Sequence, residues 1–356
     1  HVSSRRQRQM CIRDRLHEAR KNIVIKKFLY DIINYNQYMN NFIKLYLLSS
    51  LSLSFINADT TKFGLGSCLD QDYPQPIWEA IEKEDLDYFV FLGDNVYGDL
   101  PSGSLRKMVS AYKKQKNNFP KWMEDVKILP IWDDHDYGLN DAGSEYPLKR
   151  QSQEIYLNFW EIPLDDDRHN RDGIYFSEEK IIQGKVFKLI FLDTRFFRSN
   201  LKGPKGKYVE NLDPDATILG SSQWNWLENE LKDEFDFLIM FSSIQIIAKD
   251  HPYEKWSNFP LEQQRLFSLI DKYKNNVLLV SGDRHRGGIY NMNGIYEITS
   301  SSMNKPGSSF IETDEYLIDE TYYKENYGVI EIDNNSVLVE LLDIDGKTIN
   351  SVKLSY

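Results

Sequence analysis

The chain is short of cysteine: it has two in 356 residues, and only Cys68 lies beyond residue 58. An intrachain disulfide is therefore excluded from residue 59 onward. Positive charge is outnumbered, with 43 Lys and Arg against 54 Asp and Glu. The formal net charge is −11, and the first 58 residues run basic, so the remainder is more acidic still. Such a surface repels nucleic acid and anionic membranes, and neither is expected as a partner. No internal repeat is present. Leu45 to Ile56 is apolar and interrupted by serines, too short to span a bilayer. It follows a segment with one cation that begins at Met39, and it ends at a small-residue site, Ile56-Asn57-Ala58. That order is the order of a secretory signal peptide, so 39–58 is expected to direct export to a periplasm, the medium or a secretory lumen, with no stable membrane anchor. A signal peptide should open a chain, yet residues 1–38 precede this one. Met10-Cys-Ile-Arg-Asp-Arg15 resembles a translated sequencing-library adaptor. Residues 1–38 are therefore expected to be a spurious or untranslated leader, and an uninterrupted genomic reading frame through residue 10 would refute this. Residues 59–356 are expected to form a single domain.

What is present is a recurring pattern. Tyr88-Phe-Val-Phe-Leu-Gly-Asp-Asn-Val-Tyr-Gly-Asp99 begins as an apolar run and ends in oxygen ligands. The run suits a strand buried on both faces. Phe63–Cys68, Ile128–Asp136 and Val277–His285 repeat the design. Ligands in α/β folds bind at the carboxyl ends of strands, and these segments place Cys68, Asp94, Asp134 and Asp283 there. Strands are expected at 61–67, 87–93, 126–132, 186–193, 235–243 and 276–282. Helices are expected at 76–84, 103–116, 150–160, 221–233 and 260–273, with Ser221 or Ser222 capping the fourth. After residue 286, short runs separated by Asn-Gly, Asn-Asn and Asp-Gly turns predict antiparallel hairpins. Residues 200–219 and 303–325 read as long loops.

Each candidate has a plainer reading. A lone Asp after a strand is usually a cap, but Gly93-Asp94 recurs as Gly282-Asp283, followed by His285. Two carboxylates and an imidazole at convergent strand ends suit a divalent or trivalent cation. Cys68 could be a small buried apolar residue; in an exported chain, metal ligation would hold it as thiolate. A cysteine-phosphatase role fails, because Pro74 stands where the phosphate-binding Arg is needed. Trp132-Asp-Asp-His-Asp-Tyr-Gly138 is either a surface turn or a site with one Asp on a metal and His135 free to act on a leaving group. Arg195, Arg284 and Arg286 could bring charge to a phosphate or neutralise nearby acids. His169 and His251 read as solvated loop residues. Asp343-Ile-Asp-Gly-Lys-Thr348 reads as a hairpin turn.

In order, the segments Gly-Ser-Cys68, Gly-Asp94-Asn-Val-Tyr97-Gly-Asp99, Trp132-Asp-Asp-His-Asp-Tyr-Gly, Leu-Asp-Thr-Arg195, Leu219-Gly-x-x-Gln-Trp-x-Trp-Leu227 and Ser-Gly-Asp283-Arg-His285 resemble the PhoD-like alkaline phosphatases. These are a branch of the calcineurin-like metallophosphoesterases, and the resemblance runs from about residue 61 to 300. It implies an α/β four-layer sandwich, two mixed sheets flanked by helices. It implies iron (Fe3+) and calcium (Ca2+) as metals, and small organophosphates as substrates. By resemblance Cys68, Asp94 and Tyr97 are ferric ligands, Asp94 bridges, and Asp134 serves the second metal. Asp283 and His285 are further ligands, with the metal each serves left open. His135 and Arg195 are the catalytic candidates. A hydroxide between the metals would attack phosphorus while His135 assists the departing alkoxide. A phosphodiesterase or phospholipase on the same site is the alternative, and a non-catalytic exported metal-binding protein a further one. Oligomeric state is left open.

Overall fold

The computed structural model describes residues 60–356. The expected leader (1–38) and signal peptide (39–58) lie outside the described residues. In chain order the elements are β1 (Thr61–Gly66), α1 (Trp78–Ile81), β2 (Tyr88–Leu92), α2 (Met108–Asn118), β3 (Lys127–Ile131), α3 (Asp134–Tyr137) and α4 (Lys149–Phe159). There follow β4 (Phe176–Ile182), β5 (Lys185–Phe191), α5 (Gly220–Glu230), β6 (Phe237–Phe241), α6 (Pro260–Ile270) and β7 (Val277–Ser281). The chain closes with β8 (Gly287–Met292), β9 (Ile295–Thr299), β10 (Leu317–Tyr322), β11 (Asn326–Ile332), β12 (Ser336–Asp343) and β13 (Thr348–Ser355).

Two mixed sheets result, in the orders β13-β12-β11-β1-β2-β3 and β10-β8-β9-β7-β6-β5-β4. The strands β1, β2 and β3 run parallel, as do β5, β6 and β7. The late hairpins complete both sheets: β11, β12 and β13 extend the first, while β8 and β9 enter the second. Alternation along each strand explains the layers. Val90 and Leu92 join the core shared with Leu189 and Phe191, while Phe89 and Phe91 turn the other way, onto Trp78 and Ile81. Ile190 and Leu192 turn away from that shared core, to the side where Trp224, Leu227 and Leu266 of α5 and α6 pack. Each such side chain contributes roughly 1.5–3 kcal/mol on burial.

Three expectations need correction. The 303–325 region is not all loop, since it contains β10. Both β10 and the unexpected β4 are edge strands, and their charged residues, which blunt an edge, also hide the alternation. No serine side chain caps α5. The segment entering it is held by Glu262, whose Oε2 accepts the N–H of Ile218 at 2.8 Å, and its first N–H, that of Gly220, donates to Thr217 Oγ1 at 2.8 Å. His251 is buried rather than solvated. Burial, with Arg284 and Lys255 nearby, holds its ring well below the ordinary histidine range.

Candidate metal centre

The parallel strands of both sheets end at one place, and two glycines let them converge. Gly93 takes φ +97, and a Cβ there would sit 2.5 Å from Asp133 Cβ. A Cβ on Gly282 would lie 2.7 Å from Leu92 O and 2.8 Å from Ser67 Oγ. Only a residue without a side chain admits these approaches. The ligand-bearing residues are bent as well: Cys68, Asp94, Asp283 and His285 all have φ between 54 and 64 or, for Asp94, 52. Left-handed backbone is uncommon outside glycine, and here four such residues fall at three strand ends, those of β1, β2 and β7.

Asp94 is the hub. Its Oδ1 accepts the His135 N–H at 3.2 Å, its Oδ2 accepts the Tyr97 hydroxyl at 3.1 Å, and Cys68 Sγ lies 3.6 Å from Oδ2. Three overlapping sets of potential ligands form around it: Cys68, Asp94 and His285; Asp94, Asp134 and His135; and Asp94, Asp133, Asp134 and Asp283. Ligand atoms within each set lie within 4.8 Å of one another. The first set offers sulfur, imidazole and carboxylate, with the Tyr97 phenol adjacent. The third offers only oxygen, which suits a hard cation.

Asp133 is the ligand candidate missing from the sequence reading, which gave that place to Asp134 alone. Asp133 Oδ1 is taken by Arg195 Nε at 2.6 Å and by the Ser243 hydroxyl, but its Oδ2 is buried without a partner. Asp134 shows the same division. Its Oδ2 accepts from Asn140 Nδ2 at 2.9 Å and Asp141 N at 2.6 Å, and its Oδ1 is a buried orphan. Unpartnered buried carboxylate oxygens call for a cation, so the donor set fits metal ions. The electrostatics agree. Burial, then neighbouring acids, push Asp94 and Asp283 well above the carboxylate range, and burial with Asp94 and Asp283 does the same to the Cys68 thiol. Burial holds His285 down at about 4, which leaves a neutral ring able to ligate.

His135 stands apart from these ligands in its support. Its Nδ1 meets Asp99 Oδ1 at 2.7 Å, and its ring packs 4.3 Å from that of Tyr97. Burial would lower its pKa, but Asp134, Asp94 and Asp99 outweigh burial and hold it well above the ordinary range. Arg195 was expected either to meet a phosphate or to neutralise nearby acids. It is 0% exposed, with Nε on Asp133 and Nη1 on Glu254, each at 2.6 Å. These contacts support the second of its two readings, neutralisation of nearby acids, while its Nη2 is buried without a partner.

A family model described as PhoD-like phosphatase matches residues 105–326. Alkaline phosphatase D of Bacillus subtilis (strain 168) is 25% identical over 301 residues, covering 72% of this chain and 51% of that protein. The chain thus spans about half the length of that relative. Among solved structures, "Structure of PhoD" aligns at TM-score 0.62 and 16% identity, over 83% of this chain and 68% of that one. The purple acid phosphatase PPD1 from yellow lupin seeds aligns at TM-score 0.55 and 13% identity, over 84% and 54%. These likenesses establish the shared fold, and with the matched family model the chain belongs to the PhoD-like phosphatases.

Proposed function

We propose that the chain is an exported phosphoesterase that hydrolyses small phosphate monoesters with two bound cations. The convergence of three ligand sets on Asp94 carries this reading. Iron would be held by Cys68, Asp94, Tyr97 and His285, and calcium by Asp94, Asp133, Asp134 and Asp283. Bound there, such a pair supplies neutralisation of the ester's charge and acidification of water. The chain's own contribution is orientation and one proton. Asp99 fixes Nδ1 of His135, which leaves Nε2 to face the ester oxygen and give up its proton as the alcohol departs. Asn140 and the Asp141 N–H hold one oxygen of Asp134 and so aim the other. Elemental analysis of the purified protein, beside rates on matched monoesters and diesters, tests the reading. Absence of a bound pair, or faster diester turnover, would refute it.

Replacing His135 with Ala is expected to lower kcat by about 10²–10³-fold while both metals stay bound, because no first-choice ligand is removed. Loss of metal in that variant would reassign His135 as a ligand, a role its place in one ligand set also permits. For export, sequencing of the secreted protein should find Asp59 as the first residue. Among the described residues no helix is long and apolar enough to cross a membrane.

A further inference from the structure

The pocket over the metal centre encloses about 250 Å3. Asp134 and Asp283, with His135 and His285, line it as an acidic floor, and exposed Lys205 with the buried Arg284 and Arg286 lines it as a cationic rim. The carboxylates near that rim do not cancel this charge. Glu254 is spent on Arg195 at 2.6 Å and Arg198 at 2.7 Å. Glu312 serves both Arg284 and Arg286, so two guanidiniums share one acid. Lys205 makes its short hydrogen bond, 2.6 Å, to the neutral amide oxygen of Asn140. Its other neighbour is Asp141 Oδ2 at 3.6 Å, an oxygen that already accepts the Tyr208 hydroxyl at 2.9 Å. The Lys205 side chain is 68% exposed, free to swing toward a ligand, whereas Arg284 is held against the Tyr253 ring at 4.7 Å.

We infer that this rim is a subsite for a second negative charge on the alcohol portion of the substrate, with Lys205 as the specificity-determining residue. The inference rests on the phosphoesterase reading above. A phosphoryl group whose charge the cations offset does not by itself require all three of these side chains. A leaving group bearing its own anion gives them a partner, because charge-assisted bonds to Lys and Arg are the strong ones. The volume suits a small ester: it is below the roughly 300–1,000 Å3 of pockets that enclose drug-sized ligands. The substrate class is therefore a small phosphate ester that also carries a carboxylate or a second phosphate.

The test uses the metal-loaded protein and 3-phosphoglycerate, 2,3-bisphosphoglycerate and glycerol 3-phosphate, with p-nitrophenyl phosphate as a reference ester. Wild type should favour one or both of the doubly anionic esters over glycerol 3-phosphate by about tenfold in kcat/KM. Which of the two leads distinguishes carboxylate from phosphate as the second anion. Lys205→Met should bring that ratio close to one, and Lys205→Arg should keep it. Calorimetry with the non-hydrolysable phosphonate analogues of 3-phosphoglycerate and glycerol 3-phosphate should show the same difference in affinity, lost in Lys205→Met. A ratio near one in wild type overturns the inference and leaves the hydrolase reading intact. So does a ratio that survives Lys205→Met, including an equal loss on all esters, which would make Lys205 only a support for Asn140 and Asp134. No turnover of any ester by protein with two metals bound overturns the hydrolase reading itself.

Discussion

Asp94→Asn is expected to abolish binding of both cations and to lower kcat/KM by at least about 10³-fold, equivalent to roughly 4 kcal/mol of transition-state stabilisation. No other residue belongs to all three ligand sets, so its loss cannot be confined to one cation. An amide keeps one weak acceptor oxygen and has no charge to offset two cations. The fold should survive the change. Asp94 sits at φ 52, and Asn tolerates that conformation as well as Asp does. The amide can still accept the His135 N–H or the Tyr97 hydroxyl. Removing a carboxyl that burial pushes well above its ordinary range also relieves repulsion within the metal-free cluster. The metal-free variant should therefore melt no lower than metal-free wild type. Full metal content with near-normal turnover in Asp94→Asn would sink the two-cation reading.

The strands that build the site could be read from sequence because they are buried on both faces. An uninterrupted apolar run such as Phe89–Leu92 or Leu278–Val280 has few other fates, and a Gly-Asp ending fixes where it stops. The strands β4 and β10 were hidden for the opposite reason: an edge strand rich in acids and lysine carries no alternation to find. The candidate site was legible in which residues cluster but not in its wiring. Adjacent Asp133 and Asp134 look alike in the chain, and only the fold turns Asp133 toward Arg195 and Asp134 toward Asn140. The pairing of Asp99 with His135 spans 36 positions, and no periodicity signals it. A clue did exist for Asp133, since four acids within Asp133–Asp136 and Asp94 exceed what a turn needs. That surplus could have been read as a second oxygen-rich ligand set.

The buried arginine provides the other large effect. Arg195→Met should destabilise the protein by about 3–5 kcal/mol, the usual consequence of removing one partner from a buried ion pair. Methionine fills part of the space but leaves the Asp133 Oδ1 contact to Ser243 alone, and Glu254 to Arg198 alone. Burial already pushes Glu254 up to about 7 against the pull of Arg195 and Arg198, so without Arg195 it should take up a proton near neutral pH. The sign follows from that. A carboxyl whose folded pKa is raised contributes least when pH is high, so the Arg195→Met penalty should grow as pH rises from 6 to 9 and shrink below it. Adding Glu254→Gln to Arg195→Met should recover part of the lost stability and flatten this pH dependence. Denaturant unfolding across that pH range measures both. Were Arg195→Met to unfold at the wild-type midpoint and show only a raised KM, the guanidinium would be reaching the substrate after all. Its burial would then be opened by substrate binding. A residue that only balances charge predicts the reverse pattern: the folding midpoint falls, and the KM of the protein that remains folded changes little.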